Sequence, residues 1–118
     1  MRLHRLELRR IGLELVVPFR TSFGTEQHRD ILLVHVSTDH GDGWGECVAM
    51  SAPFYSPEFV DGADLAIRRF LWPMLVEAGD IGAADVATVL EPIHGHPMAK
   101  AALEMAILDA ELRASGTT

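Results

Sequence analysis

The chain has 118 residues, of which 48% are hydrophobic and 23% charged, and its formal net charge is −7. These values fit one globular domain and exclude a disordered chain. An acidic surface repels phosphate backbones and the basic residues are scattered, so we expect no nucleic-acid partner. No uninterrupted apolar run is long enough to span a bilayer, so we expect no membrane partner. The single cysteine, Cys47, cannot form an internal disulfide, which indicates a reducing, cytoplasmic setting.

An alternation of apolar residues predicts a first strand over residues 3–15. The alternation shifts by one residue midway, at Arg9–Arg10. Before the shift the apolar positions are Leu6 and Leu8, and after it Ile11, Leu13 and Leu15. Because a slip of one residue exchanges the two faces of a strand, we predict a bulge or twist at Arg9–Arg10. Residues 18–29 (PFRTSFGTEQHR) are polar, with one proline and one glycine, and predict a long loop.

Two further strands complete a predicted antiparallel meander. Residues 30–38 (DILLVHVST) are apolar over four consecutive positions, which is typical of a central strand. Residues 39–43 (DHGDG) have the composition of a hairpin turn, and residues 44–49 (WGECVA) are predicted to form the third strand. Cys47 has no base or electropositive neighbour in the sequence, so we expect a packed thiol and not a nucleophile.

A second loop and two helices follow the meander. Residues 50–57 (MSAPFYSP) are rich in proline and aromatic residues. Ser56 as the N-cap and Pro57 at the first helical position predict a helix over residues 57–71. Pro73 is expected to interrupt the helix, with a short helical piece to Glu77 after it. A shorter helix is predicted over residues 83–90.

The last segment, from Met98 to about Ala114, is the most strongly helical. Its apolar residues lie nearly all round the helix: Met98, Ala101, Ala102, Leu103, Met105, Ala106, Ile107, Ala110 and Leu112. Such a helix must be buried on more than one side, whereas a three-stranded sheet covers only one. We therefore expect an α+β fold, a three-stranded antiparallel meander followed by a helical bundle, in a natural protein that continues beyond Thr118.

Three blocks of the sequence together resemble the start of an enolase-superfamily enzyme. They are PFRTSFGT (18–25), GWGECVAMSAPFYSPE (43–58) and HPMAKAALEMAILDAELRA (96–114). They are most similar to the o-succinylbenzoate synthase / N-acylamino acid racemase family. The resemblance implies a capping domain over residues 1–95 and a helix over 96–118 that leads into a catalytic TIM barrel. A barrel of ~250 residues does not fit in this chain, so we expect the barrel to be absent from it.

The chemistry implied by the resemblance belongs to that barrel. In the family, the barrel carries two catalytic lysines and three acidic magnesium ligands, and Mg²⁺ stabilises the charge formed when a proton is removed beside a carboxylate. The only lysine here, Lys100, lies in a helical segment. We therefore expect no catalytic residue and no metal ligand in this chain, and no activity from it alone. The full-length enzyme is expected to need Mg²⁺ and to act on a small carboxylate substrate.

The resemblance also implies two lids over the substrate. One carries Phe19, Arg20 and Phe23, and the other carries Met50 and Tyr55. Apolar and aromatic lid residues exclude water and hold the part of the substrate that does not react. The alternative for the apolar residues is a minor core under long loops. The alternative for Arg20 is an ordinary solvated charge.

Several polar residues receive structural interpretations. His94 and His96 are interpreted as part of a break before a helix. The alternative, a metal site, is not expected, because such a site needs further ligands nearby. Glu46 is expected to be partly buried and paired. Asp109 and Arg113 are spaced for an i,i+4 ion pair.

Two functions remain open at this point. The first is the specificity cap of a magnesium-dependent lyase or isomerase, with the missing barrel as its partner. The second is a free-standing binding or oligomerisation module without catalysis. In a fragment of a larger enzyme the last helix is expected to be exposed, whereas in a free-standing module it is expected to be buried in an extensive symmetric interface. Exposed apolar surface on the fragment also favours association, so we expect the isolated chain to self-associate.

Overall fold

The computed structural model describes the backbone of residues 1–21, 24–54 and 56–116, together with their side chains except those of residues 13–21 and 24–29. The sheet has the order β1-β2-β3, and helices follow it. In chain order the elements are β1 (Leu3–Thr21), β2 (Gly24–Thr38), β3 (Gly41–Cys47), α1 (Val60–Ala66), a π-helical segment (Ile67–Leu71), α2 (Trp72–Glu77), α3 (Ala83–Leu90) and α4 (Pro97–Ala114). The predicted α+β class with an antiparallel meander is confirmed. No helix in the described part of the chain is long and apolar enough to cross a membrane.

The predicted bulge at Arg9–Arg10 is wrong, because β1 pairs with β2 without a shift across these residues. The register shifts lie between Leu3 and Arg5 and between Glu14 and Phe19. The apolar pattern changes because its residues lie on opposite faces of a regular strand. Leu6 and Leu8 pack against the buried core, whereas Ile11 is 38% exposed on the opposite face of the sheet.

The backbone at residues 18–29 also differs from the predicted loop. β1 continues to Thr21 and β2 begins at Gly24, and these two residues are paired. β3 pairs with β2 only between Leu32 and Thr38, so the hairpin extends beyond the third strand as two strands. Among the described residues, no third strand pairs with this two-stranded arm. Its strands therefore need not show the apolar alternation by which strands are recognised. β3 itself spans Gly41–Cys47 and not 44–49.

Two glycines of β3 allow α4 to approach the sheet closely. A Cβ atom at Gly43 would lie 2.0 Å from the carbonyl oxygen of Ala106, and one at Gly45 would lie 2.2 Å from that of Ala102. The facing residues Ala102, Ala106 and Ala110 are fully buried. Since the close atoms belong to the helix backbone, no side-chain rotation could relieve such a contact.

The first helix begins at Val60, not at residue 57. Phe59 occupies the N-cap position without a side-chain hydrogen bond. Ser56, the predicted cap, instead accepts a hydrogen bond from the backbone N–H of Glu58, at 3.3 Å. The hydroxyl thus stabilises a local turn before the helix, which is the common alternative for serine.

The helix also continues past Pro73. The backbone N–H of Trp72 donates to the carbonyl of Ile67, five residues earlier, within the π-helical segment. Proline has no N–H to donate and its ring crowds the preceding turn. The wider turn directly before Pro73 accommodates both effects, so α2 follows without a break.

The remaining helices are separated by the break at His94–His96. α3 spans Ala83–Leu90, the predicted range, and α4 begins at Pro97 and ends at Ala114. His96 adopts the left-handed conformation (φ 55°) directly before the helix, so the predicted break is confirmed. The division of the chain at residue 95 stays a prediction.

The first residue is held to the loop before α3. The ammonium group of Met1 donates to the Asp80 carboxylate at 2.6 Å and to the carbonyl of Ile81 at 2.9 Å. The N–H of Ile81 donates back to the carbonyl of Met1 at 2.9 Å. The hydrogen bond from the ammonium group is the main cause that lowers the pKa of Asp80.

Candidate functional site

The five predicted lid residues are described to different extents. Phe23 and Tyr55 lie outside the described residues. Phe19 pairs with Glu26 and Arg20 with Thr25 in the two-stranded arm, and only their backbones are described. Met50 is described in full. A role of these residues in substrate binding therefore stays a prediction.

Met50 closes the base of the second loop. Its carbonyl accepts a hydrogen bond from the N–H of Val60 at 2.8 Å, and Met50 and Phe59 form a parallel bridge. The chain thus leaves and returns at one point, and we call residues 51–58 the 51–58 loop. Phe54 within it is 66% exposed. An exposed aromatic side chain on a loop with a fixed base is typical of a binding loop.

A group of polar side chains joins the start of the 51–58 loop to the sheet. The Ser51 hydroxyl donates to the Asp30 carboxylate at 3.2 Å. Arg10 of β1 lies 3.9 Å from the same carboxylate and 2.5 Å from that of Asp61 in α1. The group therefore connects three elements at the base of the two-stranded arm. Its charged members are exposed, so each ion pair contributes little stability.

The end of the 51–58 loop is joined to α4. One carboxylate oxygen of Glu58 accepts the N–H of Met98 at 2.7 Å, and the other accepts the N–H of Ala99 at 3.0 Å. These N–H groups have no partner within the helix, and Pro97 before them has none to offer. The charge of Glu58 also lies at the positive end of the helix dipole. Sequence reasoning missed Glu58, because a contact across forty residues leaves no local spacing signal.

Cys47 is a packed thiol, as predicted. It is 1% exposed, and burial raises the pKa of its thiol, with a smaller opposing effect from the N–H of Ala49. The nearby charge of Glu58 raises the pKa of Cys47 further. A thiol that is neutral and buried is a poor nucleophile.

The outer face of the sheet carries a second cluster. The rings of His35 and Trp44 are stacked with centroids 4.3 Å apart, and the Arg9 guanidinium lies 5.5 Å from the Trp44 ring. His35 is also 3.1 Å from the Asp42 carboxylate. Glu46 lies on this face and is exposed, so the expectation that it is partly buried is wrong. Its strand alternates between faces, and the buried positions are taken by the glycines and Cys47.

Asp109 has two contacts. Its carboxylate lies 3.0 Å from Arg113, which confirms the predicted ion pair, and it also accepts the backbone N–H of Trp44 at 2.9 Å. The second contact satisfies a donor at the free edge of β3 and fixes α4 along that edge.

The described residues do not fit a magnesium site. No three side chains of His, Cys, Asp or Glu among them come close enough together to hold a metal ion. Asp30 and Asp61 both face Arg10, whose positive charge offsets part of theirs and would repel a metal ion at this position.

Comparison with known proteins places this geometry in a family. Residues 6–118 match the family described as the N-terminal domain of mandelate racemase / muconate lactonizing enzyme. An N-succinylamino acid racemase of Amycolatopsis sp is 55% identical over 97% of this chain and 31% of its own length. An o-succinylbenzoate synthase of Geobacillus stearothermophilus is 41% identical over 86% of this chain and 28% of its own length. The chain therefore spans less than a third of the length of these two relatives.

Solved structures agree with the sequence matches. A member of the enolase superfamily from Listeria innocua superposes with a TM-score of 0.91 at 30% identity, over 98% of this chain and 31% of that chain. The L-Ala-D/L-Glu epimerase from Bacillus subtilis superposes with a TM-score of 0.79 at 29% identity, over 96% of this chain and 32% of that chain. Together with the family match over residues 6–118, these likenesses show that the chain belongs to the mandelate racemase / muconate lactonizing enzyme N-terminal domain family of the enolase superfamily.

Proposed function

We propose that this chain is the capping and substrate-specificity domain of a magnesium-dependent enolase-superfamily enzyme, and that it is inactive alone. The enzyme would be an o-succinylbenzoate synthase, an N-acylamino acid racemase or both, after the names of the similar proteins. The carrying observation is that a whole-chain match covers only 31% of the racemase from Amycolatopsis. Such a match leaves room for a separate catalytic domain.

The exposed side of α4 supports this proposal. Ala101, Met105, Leu108 and Leu112 are exposed at the spacing i, i+4, i+7, i+11, which places them on one face. We call these four residues the α4 stripe. The opposite face of the helix is buried on the sheet. An apolar stripe of this length is typical of a helix that has a second packing partner.

The proposed division of work follows from the side chains present. Magnesium, held by the catalytic domain, would stabilise negative charge on the substrate as a Lewis acid. This chain would contribute the two-stranded arm and the 51–58 loop, which exclude water and bind the unreactive acyl part. Phe54, exposed on the loop, has the chemistry to contact such a group.

An extension experiment tests the proposal. The coding sequence would be read past Thr118 and the longer protein assayed for succinylbenzoate synthesis and for N-acylamino acid racemisation, beside the 118-residue chain. We expect the longer protein to be active, to lose activity when a chelator removes the divalent metal, and the short chain to be inactive. Activity of the short chain would contradict the proposal.

The same α4 stripe favours the second candidate, a free-standing oligomerisation module. If the reading frame ends at Thr118, no catalytic domain can cover the stripe. A second copy of the chain would then be the expected partner, and the capping role would have to be abandoned.

A further inference from the structure

We infer that Glu58 is a positioning residue for substrate binding, because its carboxylate fixes the 51–58 loop to the N-terminus of α4. The inference rests on the proposed role of that loop as a lid. It concerns the placement of the loop and assigns no chemical step to Glu58.

The two hydrogen bonds of Glu58 form a strong attachment. Each carboxylate oxygen accepts one of two successive helix N–H groups, at 2.7 Å from Met98 and at 3.0 Å from Ala99. A charged acceptor makes shorter and stronger hydrogen bonds than a neutral one. Glu58 is also half-buried, so water competes less for these donors than at an exposed helix end.

The loop depends on this attachment because of where Glu58 lies. It is the last residue of the 51–58 loop, and its own N–H donates to Ser56 at 3.3 Å. The start of the loop is held by the Ser51 hydroxyl at Asp30, and the carbonyl of Met50 also accepts the N–H of Val60, just past the end of the loop. Between these two fixed ends lies the exposed Phe54. A shift of Glu58 would therefore move the segment that carries Phe54.

α4 is a rigid reference for the loop. It lies on β3 at backbone contact distance, through Gly43 and Gly45, and its Asp109 holds the strand edge. The carboxylate of Glu58 thus connects the loop to the body of the domain and not to another loop. The helix also carries the α4 stripe, so the loop and the proposed domain contact share one element.

A second carboxylate provides a matched control. Glu111 accepts the N–H of Ala83 at 2.5 Å and so stabilises the N-terminus of α3 from a distance. It acts on a helix end as Glu58 does, but the hydrogen bond of its carboxylate among the described residues goes to α3 and not to the 51–58 loop. If Glu58 stabilised only the N-terminus of α4, replacing Glu58 and replacing Glu111 would each affect the helix end concerned and leave the 51–58 loop unchanged.

The first test is amide hydrogen exchange on the 118-residue chain, followed by NMR. In Glu58→Ala we expect exchange at Met98 and Ala99 to accelerate about tenfold, as for the loss of a helix cap. We also expect acceleration at Phe54 and Val60, whose N–H groups donate within or beside the loop. All rates are compared with those of core amides in β2, which report overall stability.

Glu111→Ala should accelerate exchange at Ala83 and leave the loop amides unchanged relative to the core. Glu58→Gln retains one oxygen acceptor and should give a smaller effect of the same kind, and it decides the matter if Glu58→Ala does not fold. Loop amides that are unaffected in both Glu58 variants, or equally affected in Glu111→Ala, would overturn the inference.

The second test is kinetic and uses the longer protein of the extension experiment. Glu58→Gln should raise KM several-fold while kcat stays within about twofold, because positioning affects binding more than chemistry. An equal fall of kcat and kcat/KM would overturn the inference. Inactivity of the unmodified longer protein would refute the proposed function only, since the exchange measurement does not depend on activity.

Discussion

Cys47 is a buried thiol whose ionisation is linked to the stability of the fold. Burial, and to a smaller extent the charge of Glu58, keep its pKa above the ordinary value in the folded state, against the opposing effect of the Ala49 N–H. A group whose folded pKa is raised contributes stability that is fully present below its unfolded pKa. That contribution is lost as the pH rises through the folded pKa, because the unfolded thiol ionises more readily.

We therefore expect the unfolding free energy to fall as the pH rises above about 8.5, the ordinary pKa of cysteine. Cys47→Ala should be less stable at neutral pH, because it leaves a small cavity, but should lose less stability with rising pH. Urea unfolding of the wild type and of Cys47→Ala, from neutral to alkaline pH, measures how steeply the unfolding free energy of each protein falls with pH. Parallel slopes for the two proteins would show that another group causes the alkaline loss.

The contacts of single residues were predictable where the two partners are near in sequence. Asp109 and Arg113 lie one helical turn apart, and that spacing alone predicts their ion pair. The contact of Glu58 with α4 was not predictable in this way, since its partners lie forty residues away. The second contact of Asp109, with Trp44, was missed for the same reason.

Among the elements, the meander was predictable from its apolar strands, and α4 from a long segment whose apolar residues lie nearly all round the helix. The extension of β1 and β2 was not, since no third strand in the described part of the chain pairs with the arm. The π-helical segment was missed because Pro73 usually predicts the end of a helix. At the candidate site, family resemblance indicated the lid residues, but the hydrogen bonds that fix the 51–58 loop depend on tertiary structure.

The close contact between β3 and α4 gives a prediction at the level of elements. A methyl group at Gly45 would lie 2.2 Å from a backbone oxygen of α4, so the helix would have to move. We expect Gly45→Ala to lower the unfolding free energy by about 1–3 kcal/mol or more, as overpacking does. Chemical denaturation with intrinsic tryptophan fluorescence measures the change.

Gly12→Ala is the control, because a Cβ at Gly12 meets nothing within 4 Å. A surface change of this kind should stay within about 0.5 kcal/mol. Equal effects of the two substitutions would show that α4 does not lie on β3 at the distance described.

For the whole molecule, the α4 stripe predicts how the isolated chain behaves in solution. Met105, Leu108 and Leu112 are 47%, 43% and 37% exposed, on the side of the helix away from the sheet. We expect the 118-residue chain to self-associate through this stripe. The double variant Met105→Gln, Leu108→Gln should shift the weight-average mass in sedimentation equilibrium towards the monomer.

Leu65→Gln serves as the control, since Leu65 is 53% exposed but belongs to α1 and not to the stripe. It should leave the association unchanged. A wild-type chain that is monomeric at all working concentrations would contradict the prediction.

The attachment of Met1 has a practical consequence for protein production. A fusion tag or a cleavage scar at the amino end converts the ammonium group into an amide, which has one proton to donate and no charge. Either the bond to Asp80 or that to Ile81 would then be lost, and the pKa of Asp80 would rise towards its ordinary value. We therefore expect an amino-terminal extension to lower the stability of the 118-residue chain, so stability measurements on it should use protein with a free Met1.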